Sequence, residues 1–213
     1  FTVACGTLHS ARPLSQGEHQ IGATLGGPMV KFGGAYIPLP NIIVQGKSGI
    51  KPLLKRNMDV DYGVNLTGFA FGIMGLHGGV NWQLVEQNKG IPALSMTNRL
   101  WLQNNYLDFS KDASMRTIWA ADQLEFTFSY LFGKHLLYFG IAEYLDFRQP
   151  GLLLTPFIGA DFQAGKRLGI QVEMRYFASN QNQPVQTVTW LSPGTGAIGL
   201  VMGFRYDIKG DSK

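Results

Sequence analysis

The chain of 213 residues holds one cysteine, Cys5. An internal disulfide is therefore excluded, and so is a zinc site built on several thiolates. Charge is also scarce, at 15% of residues, against roughly a quarter in ordinary domains. The net charge of +4 is small. It forms no basic stripe interleaved with aromatics, so nothing points to nucleic acid as a partner. No apolar run approaches the ~18 residues of a spanning helix. Few windows repeat at the helical period, and Gly and Pro interrupt most of them. No internal repeat is visible beyond a hairpin rhythm. None of these absences excludes a β-barrel, whose strands cross a bilayer in about 10 half-polar residues.

What is abundant is glycine, at 27 residues, and aromatic side chains, at 12%. Both suit a β protein with many turns. The clearest pattern lies in 169–176 and 197–208. In the first, Ile170, Val172, Met174 and Tyr176 alternate with Gln171, Glu173 and Arg175. In the second, Ile198, Leu200, Met202, Phe204, Tyr206 and Ile208 alternate with Gly199, Val201, Gly203, Arg205 and Asp207. A period of two is a strand, because successive side chains point to opposite faces. The same reading predicts ten strands: 20–32, 36–46, 59–73, 80–85, 93–103, 118–132, 136–147, 153–163, 169–176 and 197–208. Pro38 and Pro40 make the second irregular. The facing of the seventh and eighth stays open, since both of their faces are largely apolar.

The greasy rows are long. The sixth strand offers Leu124, Phe126, Phe128, Tyr130 and Phe132 on one side. A soluble barrel would turn such a row inward, and a membrane barrel would turn it toward lipid. The opposite faces carry Arg99, Glu125, Glu173, Arg175, Arg205 and Asp207, charges of mixed sign that would pair as a polar network within a narrow lumen. Tyr62, Trp82, Trp101, Tyr106, Trp119, Tyr130, Tyr138 and Tyr144 fall toward strand ends, where aromatic girdles sit. Gly199 and Gly203 would leave room in the lumen.

The connections segregate. Those near 51–57, 88–92, 133–135 and 165–168 are short and fall on one rim. Those near 33–35, 76–79, 104–115, 148–152 and 179–194 fall on the other, and include the two longest. Short periplasmic turns and longer outer loops are a property of outer-membrane barrels. The expectation is an all-β fold, an antiparallel up-and-down transmembrane β-barrel of about ten strands. It occupies 19–208, after a polar tether at 1–18 with little packing of its own and before a polar tail at 209–213.

Phe1-Thr2-Val3-Ala4-Cys5-Gly6 is similar to the end of a bacterial lipoprotein signal, which makes Cys5 the expected lipid attachment. With Ala11-Arg12-Pro13-Leu14, Gly17-Glu18, Gly26-Gly27-Pro28 and the alternating strands to Ile208, the chain resembles small bacterial outer-membrane β-barrel proteins with a lipoprotein-type start. The resemblance implies a location in the bacterial outer membrane and a fold. It implies no activity.

Chemistry is hard to find in the residues. His9 and His19 precede or open the first strand, His77 sits in Leu76-His77-Gly78-Gly79, read as a turn, and His135 sits in a tight turn. No serine stands beside them in a motif, although a triad assembles in space. Glu125 and Glu173 have arginines nearby, which favours an ion network over a glycosidase pair. Gly26-Gly27-Pro28 lacks the Lys-Ser/Thr of a phosphate loop. Metal-ligand spacing is absent, and no cofactor is expected. The expected function is therefore that of a non-enzymatic outer-membrane barrel. It would act as a structural or accessory subunit of an envelope complex, with membrane lipid and other envelope proteins as partners. A passive small-solute pore, a soluble lipocalin-like ligand-binding barrel and a lipid-modifying barrel enzyme are the alternatives.

Overall fold

The computed structural model describes residues 11–32, 34–38, 41–66, 73–105, 118–147, 149–182 and 195–208. Cys5, His9, Tyr106 and the tail at 209–213 lie outside them. Eleven strands appear: β1 (His19–Phe32), β2 (Ala35–Pro38), β3 (Ile42–Leu53), β4 (Arg56–Asn65), β5 (Ile73–Val85), β6 (Ala93–Asn105), β7 (Ile118–Phe132), β8 (His135–Asp146), β9 (Gln149–Gln163), β10 (Leu168–Asn182) and β11 (Thr195–Ile208). Each long strand pairs antiparallel with the next. β11 then pairs with β1, from His19 opposite Ile208 to Pro28 opposite Gly199. Ten strands thus close a barrel with no free edge, which is how an antiparallel sheet satisfies its outermost backbone groups. β2 is extra. It pairs with β1 at 29–32 only.

The side-chain period decides which way the barrel faces. In β11, Gly199, Val201 and Gly203 are buried, while Leu200, Met202 and Phe204 are exposed. β7 alternates in the same way, with Gln123, Glu125, Thr127 and Ser129 inside. The interior is polar and the outside apolar, the reverse of a soluble barrel and the arrangement of a transmembrane one. The open question on the seventh and eighth predicted strands is answered by the same rule. Tyr138, Ala142 and Tyr144 of β8 and Thr155, Phe157 and Asp161 of β9 point inward. Leu137, Phe139, Ile158 and Phe162 point outward.

Several expectations are corrected. The second strand runs at Ile42–Leu53 rather than 36–46, because Pro38 ends β2 and pairing with β1 resumes at Ile42. The third stops at Asn65, and Leu76-His77-Gly78-Gly79 lies within β5 instead of forming a turn. Trp101, Trp119, Tyr138 and Tyr144 are buried in the lumen and belong to no girdle. Gly199 leaves no space either: a Cβ there would come within 2.4 Å of the Phe177 ring and of Gly27 O.

The lead is the largest correction. Residues 11–18 are not a loose tether. They enter the barrel at the rim of short turns. Ala11 is buried against Tyr138, Ala142 and Phe157. Its carbonyl accepts from Ser95 Oγ at 3.3 Å, and Leu14 N donates to Asp59 Oδ2 at 2.8 Å. Arg12 Nε reaches Ser129 Oγ at 3.4 Å, and its Nη2 donates to Gln87 Oε1. Backbone bonds tie the lead to β3, with Gly49 N donating to Glu18 O at 2.8 Å and Gly17 N to Gly49 O at 3.2 Å. A polar lumen offers hydrogen-bond partners that a solvated tether would not need.

Candidate functional site: the filled lumen

The register builds the interior. Lys47, Asp61, Gly79, Arg99 and Gln123 are opposite one another in turn, across β3 to β7. All sit at inward positions. Gly79 is the reason Arg99 can reach Asp61 over the intervening strand. A Cβ at residue 79 would fall 2.5 Å from Asp61 Oδ1 and 2.6 Å from Arg99 Cγ. Arg99 Nε donates to Asp61 Oδ2, and Nη1 lies 3.6 Å from Glu125 Oε2. Glu125 accepts further bonds from Gln123 Nε2 at 3.3 Å and Thr127 Oγ1 at 3.2 Å. Arg99, Asp61 and Glu125 are each exposed by 2% or less. Burying such charges is tolerable only when they are paired and hydrogen-bonded.

Two smaller constellations complete the wall. Arg175 Nε donates to Glu173 Oε1, and its guanidinium lies 5.5 Å from the centre of the Phe157 ring. Nearer the short-turn rim, Arg205 pairs with Asp161 at 2.8 Å and Asp207 at 2.7 Å, and donates to Gln163 Oε1 at 2.6 Å. Gly169 repeats the device of Gly79, since a Cβ there would meet Arg205 Nε at 2.5 Å. The six charges singled out in the sequence thus all point inward. They form three groups, Arg99 with Glu125, Glu173 with Arg175, and Arg205 with Asp207.

The sequence reading did not single out Lys47, Asp59, Asp61 and Asp161 for the interior, and it put His77 in a turn. Asp59 and Asp61 share the inward phase of β4, and that alternation could have found them. His77 is buried, with Nε2 3.9 Å from Asp61 Oδ2 and its ring centre 4.5 Å from that of Trp101. Beyond the ions, Ile43, Trp101, Ala121 and Tyr144 pack together with Leu153 across the lumen. Trp101 Nε1 donates to Gln123 Oε1 at 3.0 Å, which joins this apolar layer to the charged one.

Among the described residues, the fold brings Ser48 to His19. His19 Nδ1 and Ser48 Oγ lie 2.9 Å apart, exposed on β1 and β3. No carboxylate among the described residues orients that imidazole, so the pair lacks the third member of a catalytic set. Nor do the described residues gather three His, Cys, Asp or Glu side chains as metal ligands. Much of the interior's guanidinium, carboxylate and amide chemistry is spent on internal pairs, while Lys47 Nζ, Asp59 Oδ1 and both His77 ring nitrogens are buried without a hydrogen-bond partner.

No family model matches the chain, and no curated protein matches it. Solved structures that align with most of the chain include the following three. The translocator domain of autotransporter NalP from Neisseria meningitidis shares 10% identity, covering 91% of this chain and 89% of its own, at a TM-score of 0.45. The NanC porin shares 10% identity over 89% of this chain and 98% of its own, at 0.46. Ail, the attachment invasion locus protein of Yersinia pestis, shares 8% over 91% of this chain and 99% of its own, at 0.29.

Proposed function

We propose that the chain is a bacterial outer-membrane β-barrel that does not conduct and serves as a structural or accessory subunit of an envelope complex. One observation carries this reading. The lumen is spanned by the Ile43–Trp101–Tyr144 layer and by the lead at Ala11, and the Arg99–Asp61–Glu125 group is buried along its wall. A channel needs a continuous wet path, and charges locked to one another leave little of one. The same filling counts against a passive pore, and the apolar outside counts against a soluble lipocalin-like barrel. With its interior closed, the barrel offers its outer wall, its rims and its loops for contact. Cys5, if acylated, would add a second hold on the membrane.

Reconstitution into planar bilayers tests the non-conducting part. The expected outcome is no unitary current from the intact chain, and stepwise conductance would overturn it. Purification from native membranes after mild crosslinking tests the accessory part. An envelope protein recovered in fixed stoichiometry is expected, and recovery of the barrel alone would remove this role.

A further inference from the structure

A cavity of about 380 Å³ opens at the short-turn rim, between the lead and the wall formed by β7 to β11. Its volume falls within the range of small-ligand sites. One side is apolar, made by Pro13 and Leu14 of the lead with Leu131 and Leu136 of the wall. The other side is cationic. Lys134 comes from the β7–β8 turn, and Lys166 and Arg167 come from the β9–β10 turn. Neither lysine makes an ion pair with a described residue, and Arg167 has only the Tyr206 hydroxyl, 3.4 Å from its Nη1.

The carboxylates present offset these charges only in part, since Arg12, Lys134, Lys166, Arg167 and Arg205 line the recess with Glu18, Asp161 and Asp207, a surplus of two positive charges. Asp161 and Asp207 are committed to Arg205. Glu18 accepts from Ser15 N at 2.9 Å and so closes the turn of the lead. Positive charge is left at the mouth of a concave site with a greasy flank. Such a cleft concentrates field lines and favours an anion at its lip. An inorganic ion would leave the leucine side unfilled, and a neutral apolar molecule would leave the cations unused.

We infer that this recess is a binding site for an amphipathic organic anion. Its phosphate or carboxylate would rest on Lys134, Lys166 and Arg167, and its apolar body on Leu14, Leu131 and Leu136. The anion comes either free in solution or as a phospholipid headgroup. The inference stands apart from the accessory role, since a closed lumen and an occupied rim are independent.

The test uses the full chain in phosphatidylcholine nanodiscs, titrated with hexyl phosphate by calorimetry, with hexanol and inorganic phosphate as controls. Saturable binding of hexyl phosphate is expected, at least tenfold tighter than either control. The triple variant Lys134→Glu/Lys166→Glu/Arg167→Glu should weaken it at least tenfold. All three residues are exposed in turns, so the barrel should fold. Lys51→Glu/Lys55→Glu, on the same rim but outside the cavity, should leave it unchanged. No saturation, equal loss in both variants, or a control that binds as tightly would overturn the site. Native mass spectrometry from phosphatidylglycerol-doped discs then separates the sources. A phospholipid retained by the wild type and lost in the triple variant assigns the headgroup. Hexyl phosphate binding with no retained lipid assigns a free anion.

Discussion

Asn98 Nδ2 donates to Asp122 Oδ1 at 2.9 Å across β6 and β7, on the outward face of the barrel. Leu124 stands opposite Asn98 and, on its other side, opposite Glu143 of β8. Asp122 and Glu143 are the only carboxylates at outward positions of the described strands. Apolar residues stand opposite them, Leu100 and Leu145 on the two sides of Asp122, and Leu124 and Leu154 on the two sides of Glu143. A charge on the lipid face destabilises a barrel by an amount that falls toward the interfaces, and less for acids than for bases. The replacement Glu143→Leu, and Asp122→Leu made together with Asn98→Leu so that no amide loses its acceptor, should therefore leave stability unchanged or raise it by up to about 1 kcal/mol each. Urea unfolding in lipid vesicles reads this. A loss of stability would mean that these polar groups hold the outer wall together.

The interior should respond in the opposite sense. Arg99→Met strands two buried carboxylates and should cost about 3–5 kcal/mol. Replacing Arg99, Asp61 and Glu125 together by apolar residues of similar size should cost far less, since no unpaired charge is left. If the triple variant is no more stable than Arg99→Met, the ion group is not a unit.

Gly79→Ala is a narrower probe of the same region. The added methyl would occupy the space between Asp61 and Arg99 and should cost roughly 1–3 kcal/mol as overpacking. Gly78→Ala, one residue away and outward, has no atom closer than 3.9 Å to its new Cβ, and should be nearly neutral. Equal effects at both positions would refute the bridging role of Gly79.

Lipid and protein interior can also be told apart by shape. Met202→Leu with Phe204→Leu reshapes two outward sites, and a fluid solvent should accept the change at near wild-type stability. Phe177→Leu reshapes a close-packed interior site over Gly199, and should cost on the order of 1–3 kcal/mol. The double variant losing more than Phe177→Leu would place Met202 and Phe204 in a packed environment.

Orientation is tested on intact cells. The long connections expected at 104–115 and 179–194 lie largely outside the described residues, but the strands that flank them, β6 and β7 and then β10 and β11, end at the rim opposite the short turns, so a protease added outside should cut there. Cleavage at Gly133 with protection of both long connections would invert the barrel.

Alternation carried most of the fold. In β7, β10 and β11 it assigned the faces correctly, down to Met202 outside and Arg205 inside. It failed where another signal masked the phase. The second predicted strand runs through Pro38 and Pro40 and stops at residue 46, one short of Lys47. The glycines after His77 read as a turn, although an inward glycine here marks a gap bridged by its neighbours. Trp101 is two residues from Arg99 and so must share its face, yet aromatic identity suggested a girdle. The seating of the lead was not legible at all. Residues 11–18 have no periodicity, and their place depends on a cavity that exists only after closure.

The lead is held by Asp59 of β4, Gln87 beside β5, Ser95 of β6 and Ser129 of β7. Arg12 and Ser129 are 117 positions apart in the chain. Contacts so distant in sequence form slowly, because loop-closure entropy comes first. The anchors lie on or beside four consecutive strands, so they become neighbours once β4 to β7 have paired. The earliest described residues of the polypeptide therefore find their seat only after that part of the sheet has formed. A chain stalled as an open sheet would present 11–18 undocked, a visible mark of unfinished work to any protease or chaperone nearby.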